Sequence, residues 1–393
     1  MAVLILNGGS SSWKIAAYDR VAADAVPVGP PLADVSLPWP PASRASGDVR
    51  DAIATACEKL RSAGVDLRGL DAVGHRIVHG GPRFTESVRI DAAVEAGLRE
   101  LAPLAPNHNA LETSGIDATR ELFPNVPQVA AFDTAFHRTL PPAAFTYPGP
   151  YAWRERGVRR YGFHGLSVAY CVERTAQLLG EPHDLRLVVA HLGGGCSVTA
   201  VRDGASVDTT MGFTPLDGIM MSTRSGAVDP GILLYVARDL AANGKSGAEI
   251  AAELDDTLEH RSGLLGISGR SGDMREIESS SLAGDERAEL ALEMFVHRTA
   301  AAVSGMLTSL GRLDALAFAG GIGAHSATVR ARTCAKLRFL GIDVDARANA
   351  AVAGAARIDA SGPPVFALET HEEWYVAREC SRVLLRTARA GGG

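Results

Sequence analysis

Cysteine is scarce in this chain: five in 393 residues, at 57, 171, 196, 334 and 380, with no C-x-x-C pair among them. An odd, scattered set of thiols argues against a disulfide framework or a zinc site and points to a reducing compartment. Long apolar runs are also lacking. No stretch approaches the ~18 residues that mark a membrane-crossing helix. No basic flank precedes the turn at Asn7, so MAVLILNGG reads as a strand rather than a secretion signal, and the expected location is the cytoplasm. An excess of positive charge is missing too. Against 45 Asp and Glu stand 39 Lys and Arg, a formal net charge of −6, which argues against general binding to nucleic acid or an anionic membrane. An anionic substrate has to be met by locally gathered Arg, Lys and N–H groups. What remains is an ordinary globular composition, 46% hydrophobic and 21% charged. The length suits two domains of roughly 150–200 residues each.

Glycine carries the first functional signal. Leu187–Ala190 is a short apolar run suited to a buried strand; His191-Leu-Gly-Gly-Gly195 breaks it, and Cys196–Val201 alternates back out as a second strand. Gly193, Gly194 and Gly195 stand where two strands meet, so main-chain N–H groups can approach an anion with no Cβ in the way. Thr223-Arg224-Ser225-Gly226 follows, then Asp229-Pro230, a good helix start. The device recurs at the N-terminus, where Asn7-Gly8-Gly9-Ser10-Ser11-Ser12 lies between the runs Val3–Leu6 and Trp13–Ala16. Set one over the other, VLILNGGSSSWKIAAYDR and LVVAHLGGGCSVTAVRDG correspond nearly position for position. Such repetition predicts two related halves, with one nucleotide phosphate chain held between two glycine turns.

Other segments add candidates. Asp48–Gly64 reads as a helix, and Ala72–Gly81 as a strand running into a glycine pair. Within it His75 and His79 lack the helical geometry of a metal pair, whereas Arg76, inside an apolar strand, must find an anion or a carboxylate. Either a substrate or a structural ion pair would satisfy it. Asp133 follows the strand Val129–Phe132, where ligands bind in α/β sheets, though a turn cap would explain it as well. His164, before the helix 168–179, is placed to donate to a phosphoryl oxygen or to be a satisfied, partly buried histidine. Asp229–Asn243 reads as a helix and Ser262–Asp273 as a further Gly/Ser loop followed by Arg275. In the long helix 285–310, Leu292, Phe295, Thr299, Val303, Met306 and Leu310 form a core stripe, with Thr299 bonding back to the preceding turn. Leu316–Gly323 is a strand running into glycines without the spacing of a dinucleotide fingerprint, before a helix capped by Ser326. The last helix, after Glu372-Glu373, runs to about Ala390.

These segments resemble the acetokinase family over essentially the whole chain. The matching stretches are Leu6–Lys14, Gly74–Gly81, Phe132–His137, Tyr161–Gly165, His191-Leu-Gly, Met211–Gly218, Thr223–Gly226, Gly320–Gly323 and Glu372-Glu373. The resemblance implies an α/β, duplicated actin-like (ribonuclease H-like) two-domain fold with an interdomain cleft. Its first domain would take residues 1–136 and 371–393, its second 137–370. It implies reversible in-line phosphoryl transfer from ATP to acetate, giving acetyl phosphate and ADP, with Mg²⁺ or Mn²⁺, in a homodimer. Asn7 and Glu372 correspond to the metal side, and Ser10, Ser12 and Lys14 to the phosphate surroundings. Arg76 and Arg224 correspond to the pair gripping carboxylate and phosphoryl group, His164 to the transition-state histidine, and Asp133 to the carboxylate that positions the acceptor. His108, His191 and Gly193–Gly195 would line the phosphate path; Asp273, Met274, Arg275, Gly321 and Gly323 would hold the adenosine end. Val78, Asn107, Phe163 and Pro215 would form the acyl pocket.

The chain departs from the family pattern at several of these places. Gly194 stands for the usual Asn, Cys196 for Ser, Ala324-His325 for Glu-Asn, and His371 for Asn; these bear on nucleotide contacts. Asn107 replaces a Leu of the acyl pocket and Val168 a His, which leaves propionate, butyrate or a hydroxylated acid as alternative acceptors. A reading of another class is an ATP-driven binding clamp of the chaperone or filament type. Such a protein would have no use for two arginines on one anion.

Overall fold

The apolar runs become the middle strands of two sheets. The computed structural model describes residues 1–8, 12–19, 21–24, 30–38, 46–102 and 109–390; for 12, 38, 46–48, 109, 110 and 390 it describes the backbone alone. The first sheet is built from β1 (Val3–Gly8), β2 (Ser12–Tyr18), β3 (Ala33–Pro38), β4 (Ala72–Ile77), β5 (Val88–Arg89) and β6 (Gln128–Phe132), in the order β3-β2-β1-β4-β6-β5. The second comprises β7 (Arg186–Leu192), β8 (Cys196–Arg202), β9 (Ala205–Thr209), β10 (Ala315–Ala319), β12 (Ala356–Arg357) and β14 (Val365–Ala367), in the order β12-β14-β10-β7-β8-β9. Between them in sequence, β11 (Asp343–Val344) and β13 (Asp359–Ser361) pair separately.

Strand β1 is apolar at every position from Val3 to Leu6 because helices cover both of its faces. Leu4 and Leu6 pack with Ile53, Cys57 and Leu60 of the helix Ser46–Ser62. Val3 and Ile5 pack with Trp374, Val376 and Cys380 of the terminal helix Glu372–Ala390. Gly74 permits that second contact: a Cβ there would lie 2.6 Å from Cys380 Sγ and 2.7 Å from Ile5 Cδ1.

The duplication read from the two hairpins extends to the whole topology. In each sheet three strands meander antiparallel (β1-β2-β3; β7-β8-β9). Two more then run parallel to the first (β4 and β6; β10 and β14), and an antiparallel strand closes the edge (β5; β12). This repeated order is the duplicated, actin-like α/β fold expected from the sequence. The chain divides into one unit of Met1–Arg138, Phe163–Tyr170 and His371–Gly393, and another of Thr139–Gly162 and Cys171–Thr370.

In the second unit the helix Glu286–Leu310 starts on Asp285, whose side chain accepts from the N–H groups of Arg287 and Ala288, and stops at Gly311 with φ +77°. Its expected stripe is buried, and Thr299 Oγ1 donates to the Phe295 carbonyl at 2.8 Å. The stretch expected as a Gly/Ser loop holds instead a short helix, Gly263–Ser268, closed by left-handed Gly269. Leu264 drives that turn by burying itself completely, a single apolar anchor too short to show as a period. No helix among the described residues is long and apolar enough to cross a membrane.

Candidate active site

Three neighbouring parallel strands of the first sheet deliver the charged cluster. Asn7 stands near the carboxyl end of β1, Arg76 near that of β4, and Asp133 directly after β6, with Leu6 beside His75 and Arg76 beside Ala131. Carboxyl ends of strands are where such sheets bind ligands. Arg76 clasps Asp133 with two bonds, Nε to Oδ1 at 3.0 Å and Nη2 to Oδ2 at 2.5 Å. Its remaining nitrogen, Nη1, donates to Asn7 Oδ1 at 2.9 Å and lies 3.7 Å from Glu372 Oε2. Asn7 in turn donates through Nδ2 to Glu373 Oε1 at 2.9 Å. The arginine expected to seek an anion has thus found a carboxylate, in a bidentate geometry that fixes its plane.

The charges of this cluster depend on one another. Burial opposes the Arg76 charge, but Asp133 and Glu372 outweigh it and push the guanidinium further above its usual range. Burial raises the Glu372 carboxyl to about 7; Arg76 and Lys14 pull it down, while Asp133 and Glu373 add to the rise. Lys14 is exposed and pairs in register with Asn7 across the hairpin.

An apolar wall adjoins the cluster. Val78 and Phe163 are buried, and the Phe163 ring meets His79 edge-on at 5.4 Å. His137 holds the Phe163 carbonyl through Nε2 at 2.9 Å. His164 follows with φ +59°, a left-handed conformation uncommon for a side-chain-bearing residue. Gly165 is required next: its N–H donates to the Asp133 carbonyl at 2.8 Å, and a Cβ would sit 2.2 Å from that oxygen. A further acid comes from the first turn of the helix Asn109–Leu122, where Glu112 Oε1 accepts from the Val78 N–H at 3.0 Å. Its Oε2 is buried and has no hydrogen-bond partner among the described residues. Burial pushes this carboxyl up to about 8, against the Val78 N–H and Arg76. His75 is a core residue, bonded to Gln128 Oε1 at 3.0 Å and pushed down to about 4 by burial.

The second unit carries the other glycine turn. His191, at the end of β7, stands beside Ala319 at the end of β10. Gly193, His191 and Gly321 lie together: a Cβ on Gly193 would be 3.7 Å from the Gly321 nitrogen and 3.9 Å from His191 Nε2. Gly320, with φ +75°, could not bear a side chain, since Leu192 O would be 2.6 Å away. Gly194 and Gly321 are exposed with no atom within 4 Å of a built Cβ, so main chain is presented bare at both. Ser222 N–H ties the Arg224 loop to this turn by donating to the Gly194 carbonyl at 3.3 Å. Arg224 Nη1 donates to the Pro215 carbonyl at 2.8 Å, and its Nε lies 3.6 Å from Glu259. Cys196 Sγ donates to Gly193 O at 3.3 Å, and burial raises its thiol to about 12, so it is an inert support for the turn.

Asp273 begins the helix Met274–Leu282 by accepting from the Arg275 N–H, and its carboxylate also clasps the exposed Arg275 side chain. Met274 is buried beneath them, and Gly323 is buried in the short helix Gly320–His325. Ser10, Asn107 and His108 lie outside the described residues, as does the side chain of Ser12. Within the first unit the structure therefore gathers Asn7, Arg76, Asp133 and Glu372 directly, with Val78, Phe163 and His164 alongside. Within the second it gathers His191, Gly193–Gly195 and Gly321, and joins Arg224 to Pro215. Sequence reasoning missed Glu112, Glu259 and His137. Glu112 could have been found, for it sits on the buried stripe Glu112-Ile116-Thr119 of its helix, where an acid is out of place.

Residues 2–378 match the acetokinase family. The chain is 43% identical to the acetate kinase of Acaryochloris marina over 407 residues, 97% of this chain and 99% of that one. It is also 43% identical to the acetate kinase of Gloeobacter violaceus, over 98% of this chain and 100% of the relative. Among solved structures, the Porphyromonas gingivalis acetate kinase is similar with a TM-score of 0.84 at 34% identity, covering 98% of this chain and 99% of the other. A propionate kinase from Francisella tularensis gives a TM-score of 0.83 at 36% identity, over 96% and 98%.

Proposed function

The chain belongs to the acetokinase family, and from that membership we propose that it transfers the γ-phosphoryl group of ATP reversibly to acetate. A carboxylate oxygen of acetate attacks the γ-phosphorus in line, the bond from phosphorus to the ADP oxygen breaks, and acetyl phosphate and ADP leave. The acceptor is ionised at neutral pH and needs no strong base to attack. The loose transition state spreads charge over three equatorial oxygens, so catalysis is positioning and positive charge. Arg76, its plane held by Asp133 and Asn7, serves the carboxylate and the transferring group. Arg224, carried on its anchored loop, serves the phosphoryl oxygens. His164 donates to the same oxygens, and Asp133 positions the acceptor through Arg76. On the first unit, Val78 and Phe163 hold the methyl group. The bare main chain at Gly194 and Gly321, with His191, cradles phosphate, while Asp273, Met274 and Arg275 serve the adenosine end.

Asn7 and Glu372 would hold Mg²⁺. The donors fit: the Asn7 amide oxygen and the Glu372 carboxylate are hard oxygens, of the kind Mg²⁺ takes one or two at a time. That is the sparse set expected where substrate phosphates and water complete the octahedron. When bound, the ion would neutralise charge on the phosphates. We assign the chain to the cytoplasm as a homodimer.

The observation that carries this reading is the Asn7–Arg76–Asp133–Glu372 cluster at the strand ends, in a chain 43% identical to acetate kinases along nearly its whole length. Trapping acyl phosphate with hydroxylamine tests it. Acetate, ATP and Mg²⁺ should give acetyl hydroxamate in proportion to enzyme; no product with acetate, propionate or butyrate would refute it. The similarity to a propionate kinase structure keeps propionate as the second acceptor. Family membership sets the binding-clamp reading aside.

A further inference from the structure

The acyl side of the site holds a polar group that an acetate methyl cannot use. Glu112 is 3% exposed, in the first turn of Asn109–Leu122, and its two oxygens have different fates. Oε1 takes the Val78 N–H at 3.0 Å, which ties the carboxyl to the wall residue itself. Oε2 is buried with no hydrogen-bond partner among the described residues. The charged groups acting on it are Arg76, from the end of β4, and Asp133, after β6, the same pair that defines where a substrate carboxylate would lie. A buried polar atom without a partner is rare in folded proteins and asks for an explanation. An apolar residue would serve a methyl pocket better.

We propose that Glu112 is a specificity-determining residue whose free oxygen pairs with a hydroxyl on the acyl chain, so that the enzyme also phosphorylates short hydroxycarboxylates. A hydroxyl both donates and accepts, so it satisfies Oε2 whether or not the acid carries its proton. Glycolate, which is acetate with one hydroxyl, is the smallest member of the class, and 3-hydroxypropionate the next. The transfer itself is unchanged: the carboxylate takes the phosphoryl group, ADP leaves, and the hydroxyl is untouched. The inference rests on the acyl-kinase reading above and sharpens its substrate.

The experiment compares kcat/KM for glycolate, 3-hydroxypropionate and acetate by hydroxamate formation in wild type, E112L and E112Q. Wild type should form hydroxamate from at least one hydroxy acid. E112L should lower the hydroxy-acid-to-acetate ratio ~10-fold or more, the scale of a lost hydrogen bond to a substrate hydroxyl, while acetate turnover persists. E112Q keeps an acceptor for Val78 and a polar group for the hydroxyl, so its ratio should stay nearer to wild type. Wild type that forms acetyl hydroxamate but neither uses nor is competitively inhibited by either hydroxy acid overturns the inference and leaves acetate phosphorylation standing. So does a folded E112L with an unchanged ratio. Absence of acetyl hydroxamate from wild type would instead overturn the functional reading. Should E112L fail to fold, the wild-type comparison alone still decides.

Discussion

Replacing Arg76 with alanine separates what the arginine does for the fold from what it does for the reaction. Asp133 is 1% exposed, and Arg76 provides its two bonds at 3.0 and 2.5 Å. Removing one partner of such a buried pair strands a charge and costs about 3–5 kcal/mol. The lost bond to Asn7, at 2.9 Å, adds about 1 kcal/mol on the scale of ordinary hydrogen bonds. R76A should therefore unfold at distinctly lower urea. In R76A/D133N the Asp133 charge is no longer stranded, though Glu372 still loses its 3.7 Å partner, and a large part of that loss should return. Activity behaves differently. A transition-state arginine supplies about 10³–10⁵ in rate, or ~4–7 kcal/mol, and the double variant restores no guanidinium. Urea unfolding and hydroxamate formation on wild type, R76A and R76A/D133N decide the matter. Stability should recover in the double variant while turnover remains at least about 10³-fold down. Turnover of R76A within about tenfold of wild type, ~1.4 kcal/mol, would refute the role given to this residue.

Arg224 Nη1 donates to the Pro215 carbonyl and its Nε approaches Glu259 at 3.6 Å; R224A should remain folded yet lose about 10³–10⁵ in turnover. Glu372 titrates at about 7, raised chiefly by burial. Because its folded value lies above the ordinary carboxylate value, stability is fullest below that ordinary value and falls as pH rises towards about 7. The carboxylate that would hold Mg²⁺ forms over the same interval. Apparent Mg²⁺ affinity, read from activity titrations, should therefore rise with pH and level off above about 7, and E372Q should lose that dependence. Gly165→Ala places a Cβ 2.2 Å from the Asp133 carbonyl and should destabilise by about 1–3 kcal/mol with a large loss of activity. Gly194→Asn meets nothing within 4 Å and should leave stability within about 0.5 kcal/mol, a contrast that thermal unfolding of the two variants checks.

Periodic and repeated features of this chain are legible in its sequence; pairings across long separations are not. The two glycine hairpins predict the duplicated sheet order because strand, turn and strand are contiguous, and the stripe from Leu292 to Leu310 predicts its own burial. Arg76 declares itself by being charged within an apolar strand. Its partner Asp133 is 57 residues away, and only the parallel register of β4 with β6 brings the two side by side. Short-range chemistry can also hide a role. Asp273 caps its helix and clasps Arg275, a local duty that exists whether or not the pair meets a nucleotide. Glu112 is legible only as an acid on the stripe it shares with Ile116 and Thr119, a run too short to stand out as a period.

Charge on the first unit explains why positive charge has to come from outside it. Arg76 and Lys14 face Asp133, Glu372 and Glu373, two cations against three carboxylates. The bidentate bond to Asp133 offsets part of the Arg76 charge felt by a third group. A triphosphate approaching Glu372 at about 4 Å would be repelled by roughly 4 kcal/mol per unit charge at an effective dielectric of 20. Two remedies are available to the chain. Glu372 can take up a proton, which its value of about 7 permits, or it can share a divalent cation with the phosphates. Only the second keeps an oxygen ligand and adds positive charge where the phosphoryl oxygens gather. The high titration point of Glu372, raised first by burial and then by the Asp133 and Glu373 carboxylates, marks a buried acid whose charged form a shared cation would stabilise.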